Sequence, residues 1–281
     1  MSSRKGKLWV IATPIGNLGD ISLRAIDALT SCEVVAAEDI KSTVRLLKLL
    51  GIEGEKRYID LDQRCEERHL PRIIDILEQG LDVALVSEAG SPCISDPGFL
   101  LISLCRKMSV EVEVLPGPCA AIVALIASGL PPVPFTFLGF MPRRDGDRRR
   151  LLAPLSSIKS TVIFFERKSR LKDSLRVAFE VLGDREACIA RELTKLHEEI
   201  IRFPLREWDS IGELRGEITV VISPPRGEGQ KMDSAYIESI LRQELEGNAP
   251  IKEVVDRVYR MGVGWNKKSL YALCVKIKGM L

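Results

Sequence analysis

Two adjacent carboxylates and a lysine stand at or just beyond the end of one apolar run of this 281-residue chain: Glu38, Asp39 and Lys41 come after Glu33 to Ala37. Three more carboxylates, Asp82, Glu88 and Asp96, ride on residues 82–98, DVALVSEAGSPCISDPG. Carboxylates and lysines can take and give protons, so Glu38, Asp39, Lys41, Glu88 and Asp96 are the candidates for acid–base work. Asp39 with Lys41 is the favoured pair, because both follow a strand and stand off the glycine-rich loops. Asp96 also fits the N-cap of a helix with Pro97 in its first turn, and Glu38 also fits an ion pair with an arginine. A second group suits anions: Arg143, Arg144, Arg148, Arg149 and Arg150 fall within eight residues, against only Asp145 and Asp147. A solvated helix start explains many charge runs, but five arginines so close together point to an anionic partner.

Other chemistries find little support. There are two histidines, His69 and His197, far apart in sequence, and seven cysteines with no C-x-x-C spacing. That pattern predicts reduced thiols in a cytoplasmic protein, with no disulfide framework and no metal site. TPIGNLGD, residues 13–20, is neither a G-x-G-x-x-G dinucleotide fingerprint nor a phosphate loop ending in Gly-Lys-Ser/Thr. No apolar run approaches a membrane span, and the basic N-terminus lacks a signal-peptide core. A net charge of +2 does not by itself establish a nucleic-acid partner.

The elements that must position these residues alternate. Apolar runs at Leu8 to Ala12, Glu33 to Ala37, Arg57 to Asp60, Val83 to Val86 and Val110 to Leu115 read as strands. Helices are predicted over Leu23 to Leu29, Val44 to Leu50, Glu66 to Gln79, Phe99 to Met108 and Cys119 to Ser128. Strand and helix in alternation call for an α/β domain with a mostly parallel sheet, whose carboxyl edge receives ligands. The small-residue loops at 13–20, 87–98 and 116–118 would lie on that edge. The Pro-rich 130–134 segment marks a boundary between residues 1–130 and a second α/β domain, 131–223. Its predicted strands are Phe135 to Phe140, Thr161 to Phe165, Ala187 to Ala190, Glu199 to Phe203 and Glu217 to Ile222, with a helix from Ser169 to Leu182. A Pro/Gly linker, 224–234, leads to a small C-terminal helical domain, 235–281, with helices at Ala235 to Leu245, Ile251 to Met261 and Lys267 to Lys278. The last two, joined by Gly262-Val263-Gly264, match a helix-turn-helix, with Lys267 and Lys268 placed to meet phosphate. A plain three-helix cap accounts for the same pattern.

Taken together, LWVIATPIGNLGDISLRAIDAL, AAED, VSEAGSPCISDPG and LPGPCAAIVAL resemble the small-subunit ribosomal RNA methyltransferase I branch of the tetrapyrrole-methylase superfamily. FTFLGFMPRRDGDRRRLL, RELTKLHEE, GEITVVI and IKEVVDRVYRMGVGWNKKSLYAL extend the resemblance, in order, over nearly the whole chain. Four motifs depart from that branch. Its E-D-T-R is Glu38-Asp39-Ile40-Lys41 here, and its D-A-G-T-P-G-I-S-D-P-G carries Glu88, Ser91 and Cys93. Its E-H-N-E is Gln63-Arg64-Cys65-Glu66, and its Y-E-S-P-H-R is Phe165-Glu166-Arg167-Lys168-Ser169-Arg170.

The resemblance implies S-adenosylmethionine held between two α/β domains, a homodimer, and methylation of the ribose 2′-hydroxyl of a decoding-region cytidine in 16S rRNA. It implies a donor site on the loops of Pro14, Ile15 and Gly16, of Gly90, Ser91 and Ile94, and of Pro116, Cys119 and Ala120. Phe165, Leu193 and Glu217 would close over it. Two rival readings remain at this point: a methyltransferase for a small corrin-like molecule or another RNA, and an RNA-binding relative without catalysis. The arginine cluster and the lysines of the tail speak against a small substrate.

Overall fold

The computed structural model describes residues 4–62, 66–225, 234–245, 249–260 and 265–279. The first half contributes five strands, β1 (Lys7–Ile11), β2 (Val34–Ala37), β3 (Arg57–Asp60), β4 (Val83–Val86) and β5 (Glu111–Leu115). They form one parallel sheet in the order β3-β2-β4-β1-β5. Helices α1 (Leu23–Ser31), α2 (Ile40–Leu49), α3 (Glu66–Glu78), α4 (Phe99–Lys107) and α5 (Ala120–Ser128) alternate with the strands. Alternate residues explain why the central strands are apolar throughout. Val34, Ala36, Val83 and Leu85 pack into one core and Val35, Ala37, Ala84 and Val86 into the other, so both faces of the sheet are dry.

The second half forms a mixed sheet of β6 (Phe135–Phe140), β7 (Thr161–Arg167), β8 (Glu186–Arg191), β9 (Glu199–Pro204) and β10 (Glu217–Ile222), in the order β6-β7-β10-β8-β9. Only β6 and β7 run parallel, joined across α6 (Asp145–Leu152); the remaining pairs are antiparallel. Leu152 of α6 and Leu175 and Ala178 of α7 (Leu171–Leu182) fill a core against one face of this sheet. The other face is covered from the first half: Ala121, Ala124 and Leu125 of α5 pack with Ile163, Cys188, Ala190 and Val221. That shared core makes residues 1–223 a single compact unit. The carboxyl edge of the parallel sheet thereby opens onto the second sheet, with a cleft between them.

Residues 224–281 form a second unit. Helices α8 (Ser234–Leu245), α9 (Ile251–Arg260) and α10 (Lys267–Lys278) enclose a core of Ile237, Leu241, Val254, Val258, Leu270 and Cys274. The Asn266 side chain caps α10 by accepting from Ser269 N–H at 2.7 Å. The 262–264 turn, most of the 224–234 linker and residues 63–65 lie outside the described residues. No described helix is long and apolar enough to cross a membrane.

Two local expectations are corrected. The second helix starts at Ile40, not Val44, because Asp39 caps it. The helix after the 87–98 loop does not use Asp96 as its cap. It starts at Phe99 behind Gly98, and Glu66 of α3 reaches across to accept the N–H groups of Gly98 and Leu100 at 3.1 Å and of Leu101 at 3.3 Å. A buried carboxylate on three helix-start amides replaces a local cap.

Candidate functional site

A cleft of about 1260 Å³ runs between the carboxyl edge of the parallel sheet and the second sheet. Its floor is made by loops that leave β1, β4 and β5. Thr13 and Gly90 exchange backbone hydrogen bonds of 2.8 and 3.0 Å, and Ser91 Oγ donates to Pro118 O at 3.0 Å. Three loops are thus tied into one platform. Gly90 holds φ +84°, a left-handed value that a side chain resists. A Cβ there would stand 3.2 Å from Ile15 Cγ2 on the cleft wall. Opposite, Glu192 Oε1 accepts from Glu217 N–H at 3.0 Å and from Lys195 Nζ at 3.2 Å, and Lys195 Nζ also meets Glu217 Oε2 at 2.7 Å. This braces the turn 192–195, where Glu192 and Thr194 adopt φ +50° and +64°. The turn closes tightly on the first half: a Cβ on Gly16 would lie 2.8 Å from Leu193 O.

Of the residues expected to hold a methyl donor, the cleft brings together Pro14, Ile15, Gly16, Gly90, Ser91, Ile94, Cys119, Ala120, Phe165, Leu193 and Glu217. Pro116 is exposed and lies outside the lining. Close-approach backbone at Gly16 and Gly90, with Ile15, Phe165 and Leu193 as apolar walls, fits a nucleoside carrying a short polar chain. Among the described residues, no group of three His, Cys, Asp or Glu could hold a metal ion.

The acids divide differently from expectation. Glu38, Glu88 and Asp96 line the cleft; Asp39 and Lys41 do not. The Asp39 carboxylate is occupied as the α2 cap, accepting from Ser42 N–H at 2.6 Å, and that amide holds it below the usual carboxylate range. Lys41 is exposed on the first turn of the same helix. Glu38 Oε2 accepts from Glu88 N–H at 3.0 Å, and Glu88 Oε1 accepts from Ser42 Oγ at 3.3 Å. Burial pushes Glu38 above its ordinary value. It acts more strongly on Asp96, raised from 3.8 to about 7 by desolvation, with the neighbouring Glu38 charge adding to it. A carboxyl that titrates near neutrality can both hold and release a proton at working pH. The flanking backbone is itself unusual: Cys93 and Ser95 adopt φ +70° and +74°. The short dipeptide Asp96-Pro97 reads locally as a cap; only the distant Glu66 frees Asp96 for the cleft.

Asp39→Ala is therefore expected to lower stability by about 1 kcal/mol and to leave turnover near that of the wild type. Chemical denaturation and a methyl-transfer assay check this. A loss of ~100-fold in turnover would return Asp39 to the chemistry.

Residues 7–209 match the model of the tetrapyrrole (corrin/porphyrin) methylases. A relative from Thermotoga maritima named ribosomal RNA small subunit methyltransferase I is 42% identical over 221 residues, covering 78% of this chain and 98% of that protein. One from Mycobacterium bovis with the same name is 38% identical over 270 residues, covering 95% of this chain and 93% of its own. The chain belongs to this methyltransferase family. The family fold recurs in uroporphyrin-III C-methyltransferase from Thermus thermophilus, solved with S-adenosylhomocysteine, at a TM-score of 0.54 and 16% identity over 77% of this chain and 97% of that one.

In this member of the family the arginine cluster is not one surface. Arg148 is 1% exposed, with Nε donating to Pro142 O at 2.8 Å and Nη1 to Asp145 Oδ1 at 2.9 Å, so it is a structural residue and cannot meet RNA. Arg149 pairs with Glu180 and Arg150 with Asp147. Arg143 and Arg144 are exposed and precede the helix. Lys267 pairs with Asp256 at 2.6 Å and stacks over Tyr259, while Lys268 is exposed. A second basic run, Arg167-Lys168-Ser169-Arg170, borders the cleft and lies outside the cluster expected to meet RNA, although its three cations in four residues are visible in the sequence.

Proposed function

We propose that this chain transfers a methyl group from S-adenosylmethionine to the ribose 2′-hydroxyl of a decoding-region cytidine in 16S rRNA. The observation that carries the reading is the cleft itself: glycine loops at the carboxyl edge of a parallel sheet, closed by the 192–195 turn and bordered by Glu38, Glu88 and Asp96. The relatives' names support rRNA as the substrate.

Bound donor supplies an electrophilic methyl on a sulfonium. Backbone of Pro14 to Gly16, Gly90 to Ile94 and Cys119 to Ala120 would hold it, with Ile15, Phe165 and Leu193 excluding water. What remains for the protein is to place the acceptor oxygen in line and to take its proton. Asp96 fits the second task best among the cleft acids, since burial has brought its affinity for a proton into the neutral range. Glu38 and Glu88 keep the surroundings negative and so help Asp96 hold the proton once taken. The second copy of a homodimer remains part of the proposal. Calorimetric titration with the donor, then methyl transfer to small subunits from a deletion strain with mapping of 2′-O-methyl marks, tests the reading. Donor binding without any mark on the rRNA overturns it.

The C-terminal helices are proposed as an auxiliary RNA contact. Their separability is supported by residues 224–281 forming a compact unit of their own. Removing residues 231–281 is expected to leave donor affinity unchanged and to weaken RNA binding, because a tethered contact raises local concentration. The salt slope should become shallower by roughly 0.7 to 0.9 for each phosphate that is no longer neutralised. Unchanged affinity and slope, with a dimer that falls apart on a sizing column, would make the tail an assembly element.

A further inference from the structure

Beside the main cleft, a second pocket of about 400 Å³ is lined by Phe140, Arg143, Arg167, Ser169 and Arg170, among others. Phe140, Arg167 and Ser169 line both, so the two are contiguous. We propose that this pocket binds an RNA phosphodiester beside the nucleotide that enters the cleft, with Phe140 as a platform for a flanking base. The proposal rests on the reading of the chain as an rRNA methyltransferase and deepens it.

Charge pairing separates this pocket from the arginines of helix α6. The arginines of α6 are neutralised by Asp145, Glu180 and Asp147. Arg143, Arg167 and the adjoining Lys168 are exposed, and none has a carboxylate in ion-pair range among the described residues. Arg170 is anchored by one end: its Nη2 meets the fully buried Glu166 at 2.6 Å. Its Nε is buried and has no acceptor among the described residues. A buried, charged donor without an acceptor is costly, and a phosphate oxygen is a strong acceptor for it. Guanidinium groups on several sides suit the tetrahedral array of phosphate oxygens better than a single lysine does. Phe140 completes the site. It packs edge-on against Phe165 of the cleft wall, with ring centroids 5.4 Å apart, yet is 53% exposed. An exposed ring between a basic pocket and a reaction cleft is what single-stranded RNA uses to splay out a base.

The experiment uses the full-length protein and small subunits from a strain lacking this methyltransferase. Arg143→Ala/Arg167→Ala is expected to weaken RNA binding at least ~10-fold at moderate salt and to flatten the salt slope by roughly 0.7 to 0.9 for each phosphate released from the pocket. Phe140→Ala should weaken binding by about tenfold with the slope unchanged, since stacking carries no counterion release. Donor affinity should hold in the single variant Arg143→Ala, since Arg143 lines the second pocket and not the main cleft. Arg149→Ala/Arg150→Ala, which removes charges already paired, should bind as the wild type does. If the wild type binds and methylates while the Arg143/Arg167 variant keeps its affinity and slope, the pocket is wrong and the functional reading stands. An equal loss in the Arg149/Arg150 variant also overturns the pocket, as it would show a diffuse charge effect. A wild type that neither binds nor methylates small subunits overturns both readings.

Discussion

Asp96→Asn lowers methyl transfer by at least ~100-fold and leaves donor affinity unchanged. The amide keeps the shape of the side chain and loses the ability to accept a proton. In the wild type the ionised carboxylate is the competent form, so the rate should climb as pH passes through about 7. The variant's residual rate should lack that rise. Stability responds with its own sign. The folded-state value of Asp96 lies above its ordinary 3.8, so the protonated carboxyl favours the fold. That contribution is complete below 3.8 and lost as pH rises through about 7. The wild type should therefore lose thermal stability relative to Asp96→Asn across this window, and the variant should be the more stable of the two at neutral pH. Single-turnover rates and melting midpoints across a pH series measure both. Turnover of the variant within ~10-fold of wild type, with the pH rise intact, moves proton transfer to Glu38 or Glu88.

Gly90→Leu removes donor binding, with a loss of at least ~10-fold and no change of fold expected. Position 90 combines two constraints. Its backbone sits at φ +84°, and the added Cβ would press on Ile15 at 3.2 Å, next to Pro118 O at 3.7 Å. Either the loop relaxes and breaks its two bonds to Thr13, or the leucine side chain occupies the cleft. Both outcomes cost the donor its platform. Gly90→Ala meets the same backbone strain with far less bulk and should bind more tightly than Gly90→Leu. Calorimetry with circular dichroism as the fold control decides it: undiminished affinity in a folded Gly90→Leu protein places the donor elsewhere.

Much of the framework was legible in the residues themselves. Val83–Val86 and Glu217–Ile222 are strands at the bounds that their apolar runs define, because burial on both faces leaves a signal that does not depend on the partner strand. Lys267–Lys278 is likewise a helix at its expected bounds, announced by Asn266 immediately before it. The small-residue loops after β1 and β4 were legible as loops at the sheet edge for the same reason: glycine and proline constrain the backbone locally. What the tertiary structure alone decided is which polar groups are already engaged. In sequence Asp39 reads as the acid–base candidate and Asp96 as a helix cap, and the fold reverses the two. Asp39 became the cap because its own helix follows at once, and Asp96 was released to the cleft because Glu66, thirty residues upstream, took the amides it would have capped. The arginines divided in the same way. Glu180 and Asp147 neutralise Arg149 and Arg150, and packing buries Arg148, whereas Arg143 and Arg167, 24 residues apart in sequence, meet in one pocket. Backbone preference acts over a few residues and is written in order along the chain; charge pairing and desolvation act through space, and only the folded chain determines them.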